Sequence, residues 1–364
     1  MLQKIFEKLD THHDLTREDI RYLLTLQDSA KIQQLYDRAY LEKVKHTGKK
    51  VYLRGLIELS NICVKDCYYC GIRKSNRTID RFSLTEEEII SGAEWAYKNE
   101  YGSMVLQAGE RYDEKYVWFI EDIIKKIKEK TGDKLGITLS LGEQSLETYK
   151  RWFDAGAHRY LLRIETSNRE LYKKLHPEDH SWDERRKALR SLKEAGFQVG
   201  TGVMIGLPFQ TYEDLVDDIL FFKEIDADMI GMGPYLISRE TPLAAVAEKN
   251  MLIGEDKLQL ALKMIAVTRL YLKDVNIAAT TALQAIEETG REKGLKAGAN
   301  IIMPNVTDVQ YRSSYQLYDN KPCLDENADV CRGCLELRVL SIDEEIGYGQ
   351  WGDSPHFNSK KRPK

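Results

Sequence analysis

The chain has 364 residues, 42% hydrophobic and 31% charged, the balance of an ordinary globular protein. A formal net charge of −4 gives no electrostatic case for nucleic acid or an anionic membrane. No run approaches the roughly 18 apolar residues of a membrane span, and the charged start Met1-Leu2-Gln3-Lys4-Ile5-Phe6-Glu7-Lys8 lacks a signal-peptide core, so a cytoplasmic protein is expected.

In chain order, residues 1–50 read as a polar, helical N-terminal cap. Apolar residues recur at helical spacing from Leu15 to Leu26, and the segment should pack on one end of the main domain. From 51 to 305, short apolar runs alternate with longer charged segments of helical period. The runs are Tyr52–Ser60, Ser103–Gln107, Gly136–Leu141, Arg159–Glu165, Gln198–Ile205, Asp228–Gly233, Val275–Thr280 and Asn300–Met303. Between them lie helical stretches such as Thr85–Lys98, Glu114–Lys130, Leu146–Ala155, Asp183–Ala195, Tyr212–Ile225 and Asp256–Leu272. Strand–helix alternation repeated eight times predicts an α/β fold, a parallel (β/α)8 TIM-type barrel. The competing architecture is an open doubly wound sheet. Residues 306–364 form a C-terminal extension, rich in tyrosine and ending in the basic tail Ser359-Lys360-Lys361-Arg362-Pro363-Lys364, which reads as a solvated terminus.

Six cysteines fall into two tight groups, 63/67/70 and 323/331/334, which suits metal sites better than a disulfide frame. The first group follows the first apolar run with the spacing C-x3-C-x2-C. Three thiolates this close suit three irons of a [4Fe-4S] cube, with the fourth iron left for S-adenosylmethionine (SAM). A three-cysteine zinc site has overlapping spacing and stays open on spacing alone. Tyr69, just before the last cysteine, completes a loop that resembles the signature of the radical SAM superfamily. In that superfamily an electron passed to the sulfonium releases methionine and a 5'-deoxyadenosyl radical.

Barrel enzymes build their sites at the C-terminal ends of the strands, and the informative polar residues fall there. Side chains alternate along a strand, so Val105, Gln107 and Gly109 share one face, and the apolar Met104, Leu106 and Ala108 the other. That aims Gln107 into the barrel, while Gly109 admits a close ligand approach beside Glu110. Thr138 and Ser140 face inward on the third run. On the fourth, Arg163 and Glu165 point inward, either as a structural ion pair or as contacts to a zwitterionic nucleotide. Met204, Met229 and Met303, with Thr280 and Thr281, line the remaining strand ends, where ordinary core packing competes with ligand contact. Arg185 or Arg186, at a helix start after the fourth run, is placed to reach a cofactor carboxylate, and the other to face solvent. The histidines form no site: His12 and His13 lie near the terminus, and His176 and His180 read as surface residues of one loop.

Several segments carry a narrower resemblance. They are Ile57-Glu58-Leu59-Ser60-Asn61-Ile62-Cys63, Val105 to Glu110, Thr138 to Glu143, Arg159 to Thr166, Met204 to Pro208, Ala279 to Ala282 and Ala299 to Asn305. They place the chain in the branch with biotin synthase and methylornithine synthase, and it most resembles the [FeFe]-hydrogenase maturase family HydE over about residues 50–335. The resemblance implies a cluster on Cys63, Cys67 and Cys70, with SAM contacts at Tyr69, Gly109, Glu110, Ser140, Glu165, Arg185 and Met204. It implies a closed cavity whose substrate contacts are Gln107, Thr138, Arg163, Met229, Thr280, Thr281, Met303 and Tyr315. The implied substrate is a cysteine-bound iron–carbonyl–cyanide unit, small and organometallic, made by the maturase HydG, with the product passing toward the scaffold HydF. A ferredoxin or flavodoxin would supply electrons. Cys323, Cys331 and Cys334 match an optional second iron–sulfur cluster, where zinc or free thiols are the alternatives.

Two rivals differ in what they require. A lysine mutase like methylornithine synthase calls for an acidic residue in the cavity beyond Glu58 and Glu165, with Arg163 expected as the one strong positive charge there. A non-enzymatic iron–sulfur electron carrier does not call for an inward polar ring on eight strands. Biotin synthase needs cysteines on later barrel strands, and none lies there.

Overall fold

The computed structural model describes residues 1–11, 14–251, 253–254 and 256–361. His12, His13, Arg362, Pro363 and Lys364 lie outside the described residues. Its strands, in chain order, are β1 Lys50–Ser60, β2 Ser103–Ala108, β3 Gly136–Ser140, β4 Arg159–Leu161, β5 Gln198–Thr201, β6 Met204–Ile205, β7 Met229–Ile230, β8 Gly233–Pro234, β9 Asn276–Ile277, β10 Ile301–Ile302 and β11 Glu345–Ile346.

Eight of these pair in the order β10-β1-β2-β3-β4-β5-β7-β9, all parallel. A parallel bridge between Ala278 and Ile301 closes the ring. The open-sheet alternative is thereby excluded, and the fold is a (β/α)8 barrel. The later strands are shorter than the apolar runs that predict them. Past two or three residues, chain such as Gly231 to Pro234 leaves the ring, and β6 pairs with β8 in a separate layer above it. Outer helices start on side-chain caps: Thr85, Asp113, Ser145, Ser181, Thr211 and Asp256 each accept a backbone N–H of the first turn.

Alternation fixes what faces the lumen. Ile57 packs where a Cβ on Gly92 of an outer helix would sit, so Arg54, Leu56 and Glu58 of β1 turn inward.

The N-terminal helices, Leu2–Asp10, Arg17–Leu24 and Ser29–Thr47, do not cap one end as expected. They flank the outer helices Tyr212–Glu224 and Lys257–Leu272. Arg17 pairs with Glu213 at 3.1 Å and with Asp217, and Lys263 Nζ donates to Leu26 O at 2.9 Å. The reason is compositional: Lys257–Leu272 is buried on almost every face, so it needs a second layer.

The C-terminal extension seals the barrel floor. β11 pairs with the start of β1, Val51 opposite Ile346. The chain then crosses beneath the strands. Arg159 Nη1 donates to Trp351 O at 3.0 Å, Asn276 Nδ2 to Gly352 O at 2.8 Å, and Gln198 Oε1 accepts Ser354 N at 3.1 Å. With the floor closed, a ligand reaches the lumen from the C-terminal ends of the strands.

Candidate active site

The cysteine loop lies across the strand ends, held on each side. Val64 N donates to Glu110 O at 2.9 Å, Tyr68 N to Leu175 O at 2.9 Å, and Lys74 N to Lys65 O at 2.8 Å. Gly109 serves this loop. A Cβ there would stand 2.4 Å from Ile62 O and 2.8 Å from Cys63 Cβ, so the close approach is by the loop's own backbone, where a ligand was expected. The N–H of Glu110 donates to Cys63 Sγ at 3.3 Å. Burial pushes the Cys67 thiol up to about 12, and burial with the neighbouring thiols pushes Cys70 up as well. Free thiols in such surroundings stay protonated and inert, so thiolate forms only when a metal takes the proton's place.

Behind the loop sits a network in which sequence reasoning named Arg185 and Glu110 but not their partners Lys65 and Glu143. Glu143 accepts Lys65 Nζ at 2.9 Å and also Arg185 Nε, while Arg185 Nη1 donates to Arg163 O at 3.0 Å. Glu110 faces the same group: its carboxylate accepts Glu143 N at 3.0 Å and lies 3.4 Å from Lys65. Burial raises the Glu110 pKa, and Arg185 and Lys65 counter that rise. Arg185 is inside, near Cys67, and Arg186 is outside, paired with Glu224. The loop histidines are a correction. His176 and His180 are buried, not on the surface. His176 stacks on Tyr172 at 3.8 Å and meets the Tyr69 hydroxyl at 3.3 Å, and His180 Nε2 accepts Asp66 N at 3.1 Å. Both are pinned against the cysteine loop, and burial lowers both pKa values, His176 to about 3.

The lumen gathers most of the other expected residues. Gln107 lies beside Glu58 on one side and Ser140 on the other, and its Nε2 donates to the Tyr315 hydroxyl at 3.2 Å. Arg163 Nη2 stands 3.1 Å from Glu165 Oε2 and donates to Val203 O at 2.9 Å. The pair is badly aligned: Arg163 Nε, Glu165 Oε2 and Thr280 Oγ1 are buried without a hydrogen-bond partner among the described residues. Thr281 Oγ1 accepts Arg291 Nη2 at 2.9 Å. Met204 packs beside Tyr68 and Tyr69, and Met303 is half-buried just past β10. Two expected substrate contacts sit lower. Thr138 is fully buried and accepts Arg159 Nε at 3.0 Å, and Met229 packs on Arg54. Both belong to the floor, because the arginines they touch, Arg159 and Arg54, hold the C-terminal crossing at Trp351 O and Gly352 O. Arg163 is also not the one cation: Arg291, Arg185 and Lys321 join it around the cavity.

Comparison with known proteins agrees with this geometry. The radical SAM superfamily profile matches residues 57–222. Over 351 residues the chain is 43% identical to the [FeFe] hydrogenase maturase subunit HydE of Thermotoga maritima, covering 96% of this chain and 97% of that one. The chain belongs to the HydE family of radical SAM enzymes. More distant is the 3-methylornithine synthase of Methanosarcina acetivorans, 29% identical over 86% of this chain and 87% of that one. The crystal structure of methylornithine synthase (PylB) superposes with a TM-score of 0.79 at 27% identity, covering 94% of this chain and 97% of that chain.

The residues fit what the HydE family uses, a [4Fe-4S] cluster and SAM. The loop offers three thiols close enough that charge on Cys63 or Cys67 raises Cys70, and unpartnered buried polar atoms lie where a zwitterion would bind. Among the described residues no three His, Cys, Asp or Glu side chains are set to grip a single metal ion. A cube asks instead for one cysteine thiolate on each of three irons.

The second cysteine group lies outside the ring. Cys331 is buried and Cys334 exposed on the helix Ala328–Ser341, which rests on the outer helix Glu86–Lys98 through Trp95 and Asp329 at 3.0 Å. Arg312 fixes the loop before it, donating to Cys323 O at 2.9 Å and Glu326 O at 2.6 Å. The Cys331 hydrogen bond lowers the Cys323 pKa to about 6, helped by the charges of Arg291 and Arg312.

One sequence signal for the hidden network existed. β2 is followed directly by Gly109-Glu110 and β3, one residue on, by Gly142-Glu143, and both carboxylates turn to Lys65 and Arg185.

Proposed function

We propose that this HydE-family enzyme acts in assembly of the [FeFe]-hydrogenase active site on a cysteine-bound iron–carbonyl–cyanide precursor. The observation that carries the reading is 43% identity to HydE over nearly the whole of both chains. Cys63, Cys67 and Cys70 would hold the cluster. When bound, the cluster and SAM supply a 5'-deoxyadenosyl radical.

The protein's own part is to bind, orient and exclude water. Arg185, buried and steadied by Glu143, would meet the SAM carboxylate. Glu165 and Ser140 would hold its other polar groups, with Tyr69 and Met204 packed around it. Gly109 and Glu110 would act indirectly, by seating the cysteine loop. Arg163 would bind an anionic substrate, with Gln107, Tyr315, Thr280 and Thr281 giving neutral hydrogen bonds. Thr138, Met229 and Met303 would shape the cavity below and beside it. HydG would supply the substrate, HydF would receive the product, and ferredoxin or flavodoxin would give the electron, all in the cytoplasm. The site at Cys323, Cys331 and Cys334 would carry an auxiliary cluster dispensable for the chemistry.

The test is substrate-stimulated turnover. The reconstituted, reduced protein receives SAM and either a synthetic cysteine-bound iron–carbonyl–cyanide complex or L-lysine. The expected result is 5'-deoxyadenosine formation stimulated by the complex, with its carbonyl and cyanide infrared bands shifted to new frequencies. Stimulation by lysine alone would move the enzyme to the methylornithine synthase reading that the shared fold also permits.

A further inference from the structure

Glu58 is more deeply buried than Glu165, the other acidic side chain expected in the cavity, and it is already taken. It is 1% exposed and sits beside Gln107 on the inner face of the barrel. One of its oxygens accepts Asn305 Nδ2 at 3.0 Å, and the other is paired with the ammonium of Lys321. Lys321 comes from the C-terminal extension, 263 residues along the chain. The strap that carries it is tied across the strand ends. Asn61 Nδ2 donates to Ser314 O at 2.7 Å, Gly71 N to Leu317 O at 2.9 Å, and Asp319 N to Ile237 O at 3.0 Å. The fit at Gly71 is close: a Cβ there would lie 2.1 Å from Gln316 O.

The Lys321 ammonium also donates to Tyr315 O at 3.0 Å and lies 5.3 Å from the Tyr315 ring centroid. A carboxylate, a carbonyl and an aromatic face around one point make a complete receptor for a primary ammonium.

We propose that Lys321 is a specificity-determining residue: its ammonium fills the subsite in which a cationic amino-acid side chain would otherwise sit against Glu58. The lumen is thereby reserved for neutral and anionic substrates. A buried carboxylate demands a cation, and here the chain itself provides it. With Glu58 paired to Lys321, Arg163 lies against Glu165 and Arg291 donates to Thr281, so the remaining charged groups around the lumen lean positive. The inference deepens the proposed function and rests on that reading of the cavity.

The test removes the internal ligand and offers replacements. Lys321→Ala deletes a propylammonium fragment, so propylammonium and L-lysine are the probes. Binding is measured by equilibrium dialysis and by the thermal midpoint. Both probes should bind Lys321→Ala at least about tenfold more tightly than wild type, about 1.4 kcal/mol. The gain should vanish in the double variant Glu58→Gln, Lys321→Ala. Equal binding to wild type and Lys321→Ala, or a gain that survives in the double variant, overturns the proposal. If Lys321→Ala does not fold alone, it is refolded with millimolar propylammonium. Recovery supports the subsite, and failure to recover overturns it. SAM cleavage by wild type is read separately. Its absence would discard the proposed function and leave the binding comparison standing.

Discussion

Glu165 stands 3.1 Å from Arg163 in the chain just past β4, and it does so from a left-handed backbone with φ of 68°. A non-glycine residue held there costs about 1–3 kcal/mol, and such outliers gather at functional sites. The two side chains are near enough to attract but too poorly aligned to satisfy each other. Separate ligands, SAM at Glu165 and an anionic substrate at Arg163, would each gain hydrogen bonds that the pair itself does not make.

Arg163→Ala therefore separates the two halves of the cavity. The charge-assisted contact is worth roughly 1.5–3 kcal/mol, so an anionic, cysteine-derived substrate should bind about ten- to a hundredfold more weakly. SAM cleavage without substrate should persist, because the three cysteines, Glu165 and Arg185 remain. A variant that loses SAM while binding substrate normally would assign Arg163 to the cofactor.

Glu143→Gln tests the network behind the cysteine loop. Glu143 bridges Lys65 and Arg185, and removing its charge leaves two crowded cations with only Glu110 between them. Arg185 should lose its set position, and the Kd for SAM should rise about tenfold, equivalent to about 1.4 kcal/mol. Iron content should not change, since the thiols are untouched. Unchanged SAM binding by equilibrium dialysis would mean that Glu143 acts on stability alone.

Cys331→Ala should lower the iron bound per chain and leave SAM cleavage nearly intact. The residue sits on a helix outside the barrel ring, held to an outer helix by Trp95 and Asp329. Loss of cleavage in a folded variant would make the second site catalytic.

The barrel floor should make the protein acid-sensitive. Asp353 pairs with Arg159, and His158 lies 3.3 Å away. Burial would raise the Asp353 pKa, but His158 and the Arg159 charge hold it below the usual carboxylate range. Burial, then the Arg159 charge, holds His158 down to about 3. Both folded-state values lie below the unfolded ones. Stability is thus full above the unfolded histidine value near 6.5, and falls as the unfolded chain binds protons the folded one refuses. The thermal midpoint should drop steadily from pH 7 toward pH 4. Asp353→Asn leaves the buried Arg159 without its carboxylate, at a cost of about 3 kcal/mol at pH 7, and should flatten the acidic end of that slope. A midpoint independent of pH would contradict the assignment.

What the sequence made legible was local. Strand alternation set Gln107 and Ser140 on the inner face, and helical periods located the outer helices within a residue or two. Arg163 and Glu165 lie past the end of β4, where the backbone turns left-handed at Glu165 and alternation no longer applies. The cysteine spacing announced itself. Residues that act across long separations stayed hidden: Lys321 reaching Glu58, and Trp351 to Ser354 closing the floor. Neither segment carries a periodic pattern, and each is defined by where the barrel leaves a gap. His176 and His180 looked exposed because their loop flanks Pro177. Tyr69, Tyr172 and Asp66 bury them, and only the folded loop brings those groups together.

The central claim is that Cys63, Cys67 and Cys70 together support SAM chemistry, and one measurement addresses it directly. The protein is reconstituted with iron and sulfide, reduced, and incubated with SAM, and 5'-deoxyadenosine and methionine are quantified for wild type and Cys67→Ala. The account predicts both products in equal amounts from wild type and none above background from Cys67→Ala. Undiminished cleavage by Cys67→Ala, or no cleavage by a wild type that holds its full iron, would contradict it.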